Sequence, residues 1–338
     1  MITVENRFKD AKNEMPSAYQ LSRYISVKQI NNVFKWFMPY KFKTLIRLAP
    51  KGLKQTLYGM IDFLNCKNVV VCYDDEGCQP VWQEDEIPLY NGEEKPFFIP
   101  FLLKDKTAPA VVVIPGGAYL SVWMQAEGID TAKRLNELGF HAIVLSYRVS
   151  PARYPAMHLD LIRTIRLMRK NAQEWGIIPD QIIALGYSAG GHLALSVNGV
   201  YDELKNGYDD LQEIDGRPNA IVSGYGMSDL KCRSFTVTAD MILLGDNYNK
   251  KESERLCVHN LVNKDYPPVF MFAQQGDTIV PPKTNCIRLK GVLDTLGVKN
   301  ELHIYPGSRH GFALGDGEQA GEWCEKMVEF LKNNGVIE

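Results

Sequence analysis

The chain has 338 residues, 45% of them hydrophobic and 23% charged, which fits one large globular domain, or a domain with a smaller cap, and excludes a disordered or fibrous chain. A formal net charge of -2 gives no overall attraction to nucleic acid. No run of 18 apolar residues is present to span a membrane, and the first residues lack the apolar stretch of a signal peptide, so a cytoplasmic protein is expected.

Residues 1–60 carry eleven Lys or Arg against three Asp or Glu, a net +8 that leaves -10 for the remainder. Over 25–37 and 41–63 apolar and aromatic positions recur at spacings of three and four, interrupted by Pro39 and Pro50. This pattern predicts a helical extension over 1–65. It reads as an amphipathic segment packed on its own acidic domain, as a cap over a pocket, or as the contact of a homo-oligomer; a membrane surface or an acidic partner is the alternative. Of seven cysteines, Cys66, Cys72 and Cys78 share an even spacing but no CxxC pair. Free thiols are expected there rather than a metal site.

Residues 68–73, 85–90 and 97–103 read as strands joined by turns bearing Gly and Asn, the antiparallel start of a mixed sheet. After Pro109 strand and helix alternate. Strands are predicted at 110–114, 142–145, 181–185, 220–222, 269–273 and 301–305. Helices are predicted at 125–138 (ended by Gly139), 157–175, 189–198, 283–296 and 319–333. Short all-apolar strands between amphipathic helices mean an α/β fold, a mostly parallel sheet covered on both faces. Right-handed crossovers then gather the strand C-termini on one edge, where ligands bind. The polar stretch 200–218 and the stretch 228–264, with a weak helical pattern at 239–244, interrupt this rhythm and could cover that edge.

Gly186-Tyr187-Ser188-Ala189-Gly190 joins an apolar strand directly to an apolar helix. The corner exposes one hydroxyl, Ser188, beside a helix N-terminus, the position of a nucleophile. A serine hydroxyl needs a base. His310, in the loop after the last strand, is the candidate. His303 lies within that strand and His192 points along the elbow helix, so both are read as structural. His158 could bond to backbone, and His141 and His259 look incidental. Asp277, just after the strand at 269–273 and 33 residues before His310, is the acid that would hold the imidazole tautomer; Asp229 is its rival. The Gly116-Gly117 turn after the first parallel strand offers oxyanion donors at Gly117 and Ala118, joined by Ala189. A phosphate-binding turn is the alternative there, but the GxGxxG spacing and the Lys-Ser/Thr pair are missing. Tyr119, Trp123 and Tyr187 are candidate pocket walls. No cofactor and no metal are needed.

These stretches, with Ser146-Tyr147-Arg148-Val149-Ser150 and Tyr154-Pro155, resemble the α/β-hydrolases of the esterase/lipase type, near the hormone-sensitive-lipase-like and acetyl-xylan-esterase-like branches. The likeness spans about 110–335, within a catalytic domain expected over 66–338. It implies Ser188, Asp277 and His310 as a triad, Gly117, Ala118 and Ala189 as the oxyanion hole, and structural roles for Arg148 and Asp160. It implies a serine carboxylesterase acting on short acyl esters, acetyl above all, with acetylated carbohydrates among the candidate substrates. An amidase or peptidase of the same fold, or an inactive scaffold, are the other readings. Two departures stand out. The family's glycine loop begins with His and has three glycines, where this chain has Pro115-Gly116-Gly117-Ala118, and residues 1–65 match no motif.

Overall fold

Val111, Val112 and Val113 are wholly buried along one strand, and the sheet extends outward from it. In this computed structural model residues 77–338 are described, except 84, 85, 93, 232, 235, 236, 246 and 247. The expected extension over 1–65, the expected strand at 68–73, and Cys66 and Cys72 lie outside the described residues.

The strands of the main sheet are β1 (Gln79–Pro80), β2 (Phe97–Phe101), β3 (Ala108–Ile114), β4 (His141–Ser146), β5 (Ile177–Tyr187), β6 (Ala220–Gly224), β7 (Val269–Gln274) and β8 (Asn300–Tyr305). Their spatial order is β1-β2-β4-β3-β5-β6-β7-β8. The β1/β2 and β2/β4 pairs are antiparallel and every other pair is parallel. This is the mostly parallel α/β-hydrolase sheet. Every residue of β4, β6 and β7 is buried, so both faces are covered. The covering helices include α1 (Asp130–Glu137), α2 (Ala156–Lys170), α3 (Ser188–Leu204), α4 (Cys286–Leu296) and α5 (Trp323–Asn333). Among the described residues no helix is long and apolar enough to cross a membrane.

Four local readings need correction. Residues 86–90 form no strand: Leu89 turns at φ +55°, and the Pro88 carbonyl accepts from Arg148 Nη1 at 2.6 Å instead of joining a ladder. The helix expected from 157 to 175 ends at Lys170; the Asn171 side chain donates to the Leu167 carbonyl at 2.9 Å, and one further turn closes at Gly176 with φ +69°. The helix expected from 125 opens as a π-helical turn, Met124–Ile129, before α1. β5 starts at Ile177, earlier than expected, because an irregularity around Pro179 and Asp180 breaks the apolar pattern without ending the pairing to β3.

One buried ion pair ties the loop after β4 to α2. Arg148 and Asp160 have fully buried side chains, and Arg148 Nη2 lies 2.7 Å from Asp160 Oδ1. Arg148 Nε reaches both carboxylate oxygens, and its backbone N–H donates to Oδ2 at 2.9 Å. The Trp82 indole donates to Oδ1 at 2.8 Å, and the guanidinium also bonds the Pro88 and Ala156 carbonyls. Removing one partner would strand a charge in apolar surroundings. Asp160→Ala should therefore lower the unfolding free energy by about 3–5 kcal/mol in a denaturant titration. A loss below about 1 kcal/mol would show that the network contributes little.

Candidate active site

The C-terminal ends of β3, β5, β6, β7 and β8 open on one edge. β5 stops at Tyr187 and α3 begins at Ser188, which sits at φ +50°. The corner is possible only because the chain is bare on both sides of it. A Cβ on Gly186 would lie 2.1 Å from the Gly190 carbonyl oxygen, and one on Gly190 would lie 2.1 Å from that of Ile114. The Met227 N–H caps the Ser188 carbonyl at 3.1 Å.

His310 and Asp277 come to this corner from the loops after β8 and β7. Ser188 Oγ is 2.8 Å from His310 Nε2, and His310 Nδ1 is 2.7 Å from Asp277 Oδ2. Asp277 is enclosed, and its other oxygen accepts from the Ile279 and Val280 N–H groups at 2.9 and 3.0 Å. The carboxylate is thereby locked, and the His310 ring with it. Burial alone would depress the imidazole pKa. The charge and hydrogen bond of Asp277, then the charge of Glu127, outweigh it, and the result is a raised pKa. His310 is thus a stronger base than a free histidine, in contact with the hydroxyl it would deprotonate.

The turn after β3 holds Gly117, Ala118 and Tyr119 at φ +134°, +57° and +59°. Two consecutive non-glycine residues in this region carry a cost that the surroundings must offset. Leu120 and Ser121 N–H groups donate to the Gly117 carbonyl, the Trp123 N–H donates to that of Gly116, and the Ser150 N–H donates to that of Tyr119. The Gly117 and Ala118 N–H groups have no acceptor among the described residues. Ala189 lies in the first turn of α3, where helix N–H groups have no intrahelical partner. The turn rests against the serine: a Cβ on Gly116 would lie 2.9 Å from Ser188 Cβ. Unpaired amides beside a hydroxyl and a base can hold an oxyanion as it forms.

The two tyrosines expected as pocket walls are not walls. Tyr119 and Tyr187 are wholly buried. The Tyr187 hydroxyl lies 2.9 Å from Thr131 Oγ1 and its ring packs on Trp323. The Tyr119 hydroxyl is 2.7 Å from His192 Nδ1. His192 Nε2 lies 2.9 Å from the Leu256 carbonyl, which can only accept, so Nε2 bears the proton and the tyrosine donates to Nδ1. Burial depresses the His192 pKa to about 4, keeping it neutral. Elbow helix and glycine turn are therefore pinned together behind the serine. Trp123 is half-buried, and a Cβ on Gly311 would meet its ring at 3.4 Å, so of the three aromatic candidates it alone stands beside the His310 loop.

Three of the remaining histidines bond elsewhere, while both ring nitrogens of His259 are without a hydrogen-bond partner among the described residues. His158 Nε2 meets Ser196 Oγ at 2.8 Å, a side chain rather than the expected backbone group. His141 is bonded at both nitrogens and is not incidental: Nδ1 accepts from the Leu103 N–H, and Nε2 meets the Lys106 and Gly176 carbonyls. His303 pairs with Glu301. Asp229, the rival acid, pairs with Arg288 at 3.2 Å and accepts from the Lys231 N–H.

Two groups at this edge were missed in the sequence. Glu127, in the π turn, accepts from the Gly116 N–H at 2.6 Å, and the Tyr225 hydroxyl donates to its other oxygen at 2.8 Å. The signal for Glu127 was available: Met124, Glu127, Gly128, Thr131 and Leu135 form one buried stripe, and a carboxylate in such a stripe needs partners. Tyr225 carried no comparable signal.

A family model described as BD-FAE matches residues 98–290. A solved structure of an acetyl ester-xyloside bifunctional hydrolase from Caldicellulosiruptor lactoaceticus is 32% identical, with a TM-score of 0.69, over 77% of this chain and 97% of that one. An acetylxylan esterase of Xylanibacter ruminicola is 26% identical over 72% of this chain and 48% of its own length. An endo-1,4-beta-xylanase B of Butyrivibrio fibrisolvens is 28% identical over 72% of this chain and 39% of its own. The chain thus spans about half or less of the length of these two curated relatives.

Proposed function

This chain belongs to the BD-FAE family, and from that premise we propose that it is a serine carboxylesterase that removes short acyl groups, acetyl above all, from esters, acetylated carbohydrates among them. One observation carries the reading. A serine, an imidazole and a locked carboxylate stand in series at 2.8 and 2.7 Å beside a turn with unpaired amides. In the proposed reaction Ser188 Oγ attacks the ester carbonyl while His310 Nε2 takes its proton. The N–H groups of Gly117, Ala118 and Ala189 hold the tetrahedral oxyanion. His310 then gives the proton to the departing alcohol oxygen, leaving an acyl-Ser188. Water, activated by the same imidazole, releases the acid. The acetyl preference draws support from the named activities of the acetylxylan esterase and of the acetyl ester-xyloside hydrolase.

The test is a substrate panel on the purified chain: p-nitrophenyl esters from acetate to octanoate, acetylated xylo-oligosaccharides, and the corresponding acyl amides. The expected result is the highest kcat/KM on acetyl esters, with acetate released from the oligosaccharides and little turnover of amides. A preference for octanoate would reject the acyl assignment. Faster cleavage of amides than of esters would reject the esterase.

A further inference from the structure

Glu127 is 2% exposed, yet it is absent from the series of proton-transfer groups just described. Its two oxygens bond to two different loops. Oε2 accepts the Gly116 N–H from the glycine turn, and Oε1 accepts the Tyr225 hydroxyl from the loop after β6. Tyr225 Oη in turn accepts the Ala313 N–H at 3.1 Å, from the loop that carries His310. The Ala313 N–H cannot be an acceptor, so the tyrosine proton is directed at Glu127. The Tyr225 ring also stands edge-on to the His310 imidazole, with centroids 5.1 Å apart. A Cβ on Gly311, next to His310, would lie 3.9 Å from Glu127 Oε1. The carboxylate therefore sits where the glycine turn, the β6 loop and the His310 loop converge.

Resting on the triad reading above, we infer that Glu127 is a positioning residue: through Gly116 and Tyr225 it holds the oxyanion turn and the His310 loop against Ser188, and its negative charge supports His310 when that ring takes the serine proton. Glu127 transfers no proton itself. A carboxylate that accepts a backbone N–H and a phenolic O–H leaves both donors fixed, which a neutral amide cannot do at both oxygens. The groups facing it are the phenols Tyr147, Tyr187 and Tyr225, together with His310; those facing His310 are Asp277, Ser188, Tyr225 and Glu127. No lysine or arginine is among them. Burial raises the Glu127 pKa, opposed by the bonds from Gly116 and Tyr225 and by the charge on His310. Because Glu127 in turn raises the pKa of His310, removing its charge should let the imidazole lose its proton at lower pH.

The experiment compares wild type with Glu127→Gln, Glu127→Asp and Tyr225→Phe. The readouts are kcat and KM on p-nitrophenyl acetate across pH, and the NMR titration of the His310 ring, assigned with His310→Gln. Glu127→Gln should lower kcat by about ten- to a hundredfold with KM within about threefold, since turn and base lose their alignment. Its acid limb of kcat/KM and its His310 titration should both move to lower pH. Glu127→Asp keeps the charge, so its His310 titration should stay near wild type while kcat falls. Tyr225→Phe should lower kcat without moving the titration. Equal His310 titrations in wild type and Glu127→Gln, or an unchanged kcat in that variant, would overturn the inference. The NMR titration reads the ring without turnover, so the inference and the triad reading can fail separately. Should Glu127→Gln not fold, Glu127→Asp with an unchanged kcat would overturn it equally.

Discussion

Ser188→Ala is expected to lower kcat for p-nitrophenyl acetate hydrolysis by up to about a millionfold. The substitution deletes one atom, the oxygen 2.8 Å from His310 Nε2. Alanine keeps the Cβ that meets the glycine turn, and the left-handed backbone at φ +50° costs alanine about what it costs serine. The fold, the unpaired amides and the raised His310 basicity should therefore survive. What is lost is the acyl-enzyme, so no burst of p-nitrophenol should precede steady turnover. Serine and histidine act as one unit, so Ser188→Ala with His310→Ala should be no slower than Ser188→Ala alone. A single variant retaining even a hundredth of wild-type kcat, with normal thermal unfolding, would remove Ser188 from the mechanism.

The parts that are legible in the sequence share a physical reason. Ser188, Asp277 and His310 each follow the C-terminal end of a parallel strand, and parallel topology sends all such ends to one edge. Strand periodicity alone therefore brings residues 188, 277 and 310 together. The Gly-x-Ser-x-Gly pattern was readable for a similar reason, since Gly186 and Gly190 answer a steric demand made within five residues. Side-chain direction was not legible. Tyr119 and Tyr187 flank reactive positions in the chain, but the turn at φ +59° and the end of β5 rotate them into the core. The Glu127–Tyr225 bond joins residues 98 apart, from a π turn and from a loop whose tyrosine sits at φ +37°. The stripe that buries Glu127 was legible, but the π turn and the positive φ that bring it to Tyr225 leave no mark in hydrophobic periodicity. Among the element ends, the overrun at Lys170 has the same origin, because an asparagine side chain that stops a helix looks like any polar residue on its surface.

Asp277→Asn is the substitution that asks what the acid does, and kcat should fall about ten-thousandfold although shape and volume barely change. The direction follows from the partners of each oxygen. Oδ1 accepts from two backbone N–H groups, Ile279 and Val280, and only an oxygen can satisfy both. Asparagine must therefore place its carbonyl there and turn its NH2 toward His310 Nδ1, where Oδ2 now lies at 2.7 Å. An NH2 group donates, so Nδ1 becomes an acceptor and the neutral ring carries its proton on Nε2. That proton faces Ser188 Oγ, and the base has nothing with which to accept the serine's own. The imidazolium formed during turnover also loses the charge of Asp277, the stronger of the two carboxylate charges that raise the pKa of His310. Glu127 remains, so the His310 titration should fall further in Asp277→Asn than in Glu127→Gln. Asp277→Ala imposes no wrong tautomer and should be no slower than Asp277→Asn. Asparagine retaining more than about a tenth of wild-type kcat would mean that the carboxylate neither holds the tautomer nor stabilises the charged ring.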